Sequence, residues 1–408
     1  MKIPCSLLSP LFALSLVAVT PAFAQPATNI TNDRSGALQV VSPEVAADRS
    51  ITFRLYAPNA KAVFFNGDFF PEGSQGQAMT KADNGVWSLT MPPQPPSIMG
   101  YYFRVDGVRL TDPSNLLISS SAEFLKSYVE VPGDGPQFWS VRDVPHGQLH
   151  EVWYRNPALG QRHAMIYTPP GYDAASAKTY PAIYLLHSTT DNETFWSHVA
   201  RANFIVDNLL ADGKAKPVLL VMVFGHTSVP RGPEEGAGGT DLYDVAVIGQ
   251  DIVGQVIPLV EKEFHAGKTA RDRAIFGCTM GGYQAVTIGM NYAGTFGYVA
   301  GASSNFRTNT NLATNFAGLT AKLETAKRDL AYVALMTGTG ESGSYAQSRR
   351  VTEYFTGLGL RNEWMTPPGG QHTWQSWRAF FRDLVERKFF AADPYAAPPV
   401  GAVSAVKP

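Results

Sequence analysis

The chain has 408 residues, 45% hydrophobic and 12% aromatic, with a formal net charge of −1. That balance gives no footprint for nucleic acid or for an anionic membrane surface, and the length suffices for two domains with well-buried cores. The two cysteines are far apart, the eight histidines are scattered and no C-x-x-C occurs, so neither a metal site nor any other cofactor is expected.

Residues 1–24 read as a cleavable signal peptide. Lys2 supplies the charged start, Leu7 to Val19 the apolar core, and Ala22-Phe23-Ala24 a small-x-small site before Gln25. The expectation is a secreted or periplasmic protein with no further membrane segment. Cleavage also removes Cys5, leaving Cys278 as the one thiol, so no intramolecular disulfide can form. Residues 25–40 are polar and aperiodic and read as a tether.

Residues 41–136 read as an all-β, immunoglobulin-like sandwich. Ile51-Thr52-Phe53-Arg54-Leu55-Tyr56 alternates, and Lys61-Ala62-Val63-Phe64-Phe65 and Val86-Trp87-Ser88-Leu89-Thr90-Met91 follow as strands. Tyr101-Tyr102-Phe103-Arg104-Val105 then reaches a hairpin turn at Asp106-Gly107. From 144 to 391 the texture is α/β. Tyr180 to Leu186 and Val218 to Val223 are continuous apolar runs, as parallel strands covered on both faces require. Helical periodicity marks Ala202 to Leu210, Asp251 to Phe264 and Ser344 to Leu358, with another buried strand from Ala331 to Thr337. The fold class is a doubly wound, mostly parallel sheet of α/β-hydrolase type, with 392–408 as a flexible tail.

Gly277-Cys278-Thr279-Met280-Gly281 has the layout of a nucleophile elbow, G-x-S-x-G, with threonine in place of serine. Arg273-Ala274-Ile275-Phe276 leads in as a strand and Gly282-Tyr283-Gln284-Ala285-Val286 leads out as a helix. Acyl transfer needs a hydroxyl, a base and an acid that orients the base. In chain order after Thr279 come Glu341, in a Gly-rich turn beyond a strand, and His372, in a Gly-rich loop. Thr279 is expected as nucleophile, His372 as base and Glu341 as orienter. The oxyanion donors would be the backbone N–H of Met280 and one from Ser188 or Thr189. Cys278, beside the elbow, is expected to pack into the sheet.

The chain resembles bacterial carbohydrate esterase family 1, the feruloyl and acetyl-xylan esterase group with an amino-terminal sandwich. The resemblance rests on Pro145-His146-Gly147, Tyr167-Thr168-Pro169-Pro170-Gly171-Tyr172, Arg201-Ala202-Asn203-Phe204-Ile205 with Asp207-Asn208-Leu209, and His372-Thr373-Trp374. Phe53 to Ala60 and Asp112-Pro113-Ser114-Asn115 resemble an E-set or glycogen-binding type of carbohydrate-binding module. The resemblance implies substrate-binding roles for His187, Glu193, Trp196 and Trp374. It also exposes departures. The family's elbow is usually G-L-S-M-G-G, its oxyanion loop a histidine followed by glycines, and its acid an aspartate. Here stand Cys278 and Thr279, Ser188-Thr189-Thr190, and Glu341.

A β-branched residue is the poorest candidate for the positive φ an elbow imposes, and strain of about 1–3 kcal/mol follows. Two functions stay open. One is hydrolysis of feruloyl or acetyl esters on plant polysaccharide through a Thr/His/Glu triad. The other is an esterase fold that binds polysaccharide or an acyl-sugar without turnover. A threonine adapted to a different acyl or glycosyl transfer is a third possibility.

Overall fold

A computed structural model describes residues 40–70, 74–119, 125–227, 244–367 and 370–396. The signal peptide, nearly all of the tether and the end of the tail lie outside these residues. Among the described residues, no helix is long and apolar enough to cross a membrane.

The amino-terminal part is two packed antiparallel sheets. One, of four strands, orders Glu44–Val45, Ile51–Tyr56, Val86–Met91 and Thr80–Lys81. The other is built around Val63–Gly67, Ser97–Val105 and Lys126–Val131. Alternation drives the packing: Ile51, Phe53 and Leu55 face inward while Arg54 and Tyr56 do not. Phe53, Phe65, Tyr101 and Phe103 fill the interior, with the Phe53 and Phe65 rings 4.2 Å apart.

The second part carries an eight-stranded mixed sheet. Its strands are β1 (Gln148–Asn156), β2 (Gly160–Thr168), β3 (Ala182–Leu186), β4 (Leu219–Val223), β5 (Arg273–Cys278), β6 (Tyr298–Ala302), β7 (Tyr332–Met336) and β8 (Glu363–Met365). The order is β1-β2-β4-β3-β5-β6-β7-β8. β2 runs antiparallel to both of its neighbours, β1 and β4, and the remaining pairings are parallel. Every residue of β3 to β7 is buried, because helices cover both faces.

Helix limits differ from the periodicity in one informative place. The segment expected to start at Asp251 starts at Val245, capped by Asp244, whose side chain accepts from the N–H groups of Ala246 and Val247. A π segment, Ile252–Val256, interrupts it before Ile257–Glu263. The shifted turn breaks the 3.6-residue pattern. Tyr395, in the segment expected to be a flexible tail, is anchored. Its hydroxyl donates to Arg361 O at 2.7 Å and accepts from Val333 N–H at 3.0 Å.

The two parts share a core. Ile98 and Tyr128 of the sandwich belong to the same buried cluster as Phe195, Trp374 and Trp377, and Arg201 pairs with Glu130 across the junction at 2.8 Å. Asp207 binds the entry to the second part. It accepts from Tyr167 Oη at 2.5 Å and Gly147 N–H at 3.0 Å, and it pairs with His146 at 2.8 Å.

Candidate active site

The site lies at the carboxyl ends of β3 to β7, where a doubly wound sheet places its loops. Thr279 follows β5 and caps the helix Met280–Asn291 with φ 50° and ψ −112°. The turn is closed by backbone. Thr279 N–H donates to Ala302 O at 2.9 Å, and Thr279 O accepts from Tyr283 N–H at 3.0 Å and Asn305 N–H at 3.1 Å. Both flanking glycines are steric requirements. A Cβ on Gly277 would sit 2.2 Å from Gly281 O, and one on Gly281 would sit 2.5 Å from the carbonyl oxygens of Leu186 and His187. Cys278 is wholly buried, and burial pushes its thiol well above the ordinary range. It packs in the sheet and is no nucleophile.

Glu341 and His372 meet. Glu341 Oε2 accepts from His372 Nδ1 at 2.8 Å, while Oε1 accepts from Ser303 Oγ at 2.9 Å and from Gly338 N–H at 3.0 Å. A carboxylate fixed at three points leaves the imidazole proton on Nδ1 and the Nε2 lone pair available as a base. Ser303 extends the chain, since its Oγ accepts from Trp377 Nε1 at 2.9 Å. The Trp377 ring also stands edge-on to His372 at 5.1 Å. Ser303 has φ 48° and is fully buried. Neither Ser303 nor Trp377 belongs to a motif, so the sequence offered no signal for them. Among the described residues, no hydrogen bond joins Thr279 Oγ1 to the His372 ring.

The loop after β3 brings Ser188 and Thr189 to the elbow. Gly281 N–H donates to His187 O at 3.1 Å, which fixes this loop against the helix start. Met280, in the first turn of the helix, has an N–H with no intrahelical acceptor.

The four residues expected to bind substrate are all buried. His187 is fully buried. Its Nδ1 donates to Ser188 O at 2.8 Å and its Nε2 accepts from Gly225 N–H at 2.9 Å. Burial holds its pKa down at about 3, with His226 adding to the effect. The ring therefore braces two loops as a neutral strut. Trp196 is core, with 0% exposure. The Glu193 side chain is 4% exposed and faces His163 Nδ1 at 3.3 Å. Trp374 is 8% exposed, and its Nε1 donates to Asp191 Oδ2 at 3.1 Å. Among the described residues, no group of three or more His, Cys, Asp or Glu side chains is placed to hold a metal ion.

Comparison with known proteins follows the same division. The Esterase family model, described as "Putative esterase", matches residues 158–387, more than half of the chain. The carbohydrate-binding module 48 (isoamylase N-terminal domain) model matches residues 40–121. An endo-1,4-β-xylanase/feruloyl esterase of Xylanibacter ruminicola is 27% identical over 353 residues, covering 85% of this chain but only 46% of that protein. Among solved structures, the enterobactin esterase of Shigella flexneri has a TM-score of 0.59 at 18% identity, covering 82% of this chain and 92% of that one. A CE1 ferulic acid esterase of Anaeromyces mucronatus has a TM-score of 0.51 at 19% identity, covering 62% and 95%. At such identities the structures speak to fold alone.

Proposed function

The chain belongs to the Esterase family, and from that premise we propose that it hydrolyses acyl esters, feruloyl or acetyl, carried by plant polysaccharide outside the cytoplasm. The xylanase/feruloyl esterase relative and the match to a carbohydrate-binding module support that choice of substrate. One observation carries the reading. A β-branched residue holds φ 50° at the start of a helix, a conformation that costs about 1–3 kcal/mol and persists only where its surroundings impose it.

In the proposed reaction Thr279 Oγ1 attacks the acyl carbon and its proton passes to His372 Nε2. Glu341 holds the imidazolium that forms. The carbonyl oxygen, now negative, takes hydrogen bonds from Met280 N–H and from the Ser188-Thr189 backbone. Collapse breaks the C–O bond, and His372 returns the proton to the sugar oxygen. Water, activated by the same imidazole, then releases the carboxylic acid and restores Thr279.

Binding without turnover is the second reading. The missing Thr279–His372 hydrogen bond favours it, as does the β-branched Thr189-Thr190 path where glycines usually run. Hydrolysis of 4-nitrophenyl acetate and methyl ferulate decides between them. For an enzyme, Thr279→Ala abolishes turnover, and Thr279→Ser raises kcat about tenfold, the equivalent of relieving ~1.4 kcal/mol of barrier. An inactive parent that Thr279→Ser awakens is a binder. A Thr279→Ala variant at the parental rate removes the nucleophile assignment.

A further inference from the structure

We propose that Asp191 is a positioning residue of this site: its carboxyl ties the oxyanion loop to the segment carrying His372, and the sandwich closes over that tie. The inference rests on the esterase reading for its catalytic consequence only.

Asp191 is 2% exposed and lies four residues beyond His187. Its N–H donates to Ser188 O at 3.1 Å, so it closes the turn that presents Ser188 and Thr189. Its Oδ2 accepts from the Trp374 indole N–H at 3.1 Å, and its Oδ1 lies 3.4 Å from Thr190 Oγ1. Trp374 begins the helix Trp374–Asp383, two residues past His372. One carboxyl therefore bridges the segments expected to carry the oxyanion donors and the base.

Packing alone would favour an apolar side chain here, since burying a carboxyl is costly unless it is well bonded. The sandwich bears on the same group. Tyr128 packs edge-on to Phe195 of the oxyanion loop at 6.1 Å, and the charges of Lys126 and Asp68 both act on Asp191. The other titratable groups facing it are Tyr128, Cys278 and, through the Asp191 backbone, His226. Burial raises the Asp191 pKa to about 7; Lys126 opposes the rise and Asp68 adds to it. The tie thus changes charge near neutrality, under the influence of residues from the other domain.

The test reads the tie and the turnover separately, in the full chain. The Trp374 indole N–H resonance, assigned by its loss in Trp374→Phe, should titrate with a midpoint of about 7. In Asp191→Asn the titration should vanish, and in Lys126→Gln its midpoint should rise. Asp191→Ala should lower kcat on 4-nitrophenyl acetate about 10²-fold, the scale of a misplaced catalytic group, with KM little changed. Asp191→Asn should recover most of that loss, and adding Trp374→Phe to Asp191→Ala should cost nothing more. Parental kcat in Asp191→Ala, multiplying losses in the double variant, or a midpoint unmoved by Lys126→Gln overturns the proposal. If Asp191→Ala does not fold, Asp191→Asn carries the test: a resonance that still titrates near 7 sinks it. A parent chain without turnover whose Trp374 resonance titrates removes the esterase reading and leaves the tie standing.

Discussion

Ser303 is the residue on which the Glu341–His372 pair leans. Its hydroxyl gives its proton to Glu341 Oε1 and receives that of Trp377 Nε1, and its backbone sits at φ 48° to do so. Ser303→Ala leaves a buried indole N–H without its acceptor and takes one of two donors from Glu341 Oε1. Leaving a buried polar group unmade costs about 1–3 kcal/mol, so urea unfolding should show a loss of that size. The kcat of Ser303→Ala should fall while KM holds, since the change reaches the substrate only through His372; an unchanged kcat would show that Glu341 needs no second support. The sequence points to Thr279, Glu341 and His372 because each stands in or beside a glycine-rich stretch. It does not point to Ser303, which reaches the site through the parallel register of β5 and β6, Cys278 opposite Ala302, and register is a property of the sheet.

At the scale of elements, the segment Phe224-Gly225-His226 beyond β4 braces the loop that follows β3. Arg162 of β2 donates to His226 O at 2.9 Å and also to Phe224 O. Gly225 N–H then holds His187 Nε2, and Gly225 O accepts from Gln284 at 2.7 Å. The guanidinium is neutralised by Asp251 at 2.9 Å, a carboxylate that also accepts from Tyr154 and Asn156 at 2.7 Å. Arg162→Met strands a fully buried carboxylate, and breaking such a pair costs about 3–5 kcal/mol. Thermal unfolding should show that loss, and Asp251→Leu in the same chain should recover part of it. If the double variant is no more stable than Arg162→Met, the carboxylate is not the source of the cost. The sequence does not show that Arg162 of β2 turns inward, because a charged residue on an alternating strand reads as solvent-facing. Asp251 was hidden as well, being the last residue before the π segment that displaced the expected helix.

For the whole molecule, the shared core around Tyr128, Ile98 and Trp374 implies that sandwich and hydrolase parts melt together, so one stability curve describes both. Its pH dependence follows from opposed buried groups. Burial lowers His187 to about 3 and His226 to about 4, from 6.5, and raises Asp191 to about 7, from 3.8. His150 and His198 shift with the first pair, and Asp112 and Glu193 shift with Asp191, all through burial. The imidazoles contribute stability above 6.5 that is lost as pH falls, because the unfolded chain takes up protons that the native one refuses. Asp191 acts in reverse. Its contribution is whole below 3.8 and is lost as pH rises toward 7, because the native chain keeps a proton that the unfolded one releases. Between 4 and 6.5 His187 and His226 outweigh Asp191 by one proton, which corresponds to about 1.4 kcal/mol per pH unit. Stability therefore falls on acidification in that range. Above 6.5 the imidazoles have no further effect and the raised carboxyls, Asp191 foremost, set the slope, downward. The expected curve peaks near pH 6.5, and urea midpoints measured from pH 4.5 to 8 would trace it. Asp191→Asn should lessen the decline above the peak and steepen the fall below it. A decline between pH 6.5 and 7.5 that is undiminished in Asp191→Asn would assign that limb to another group.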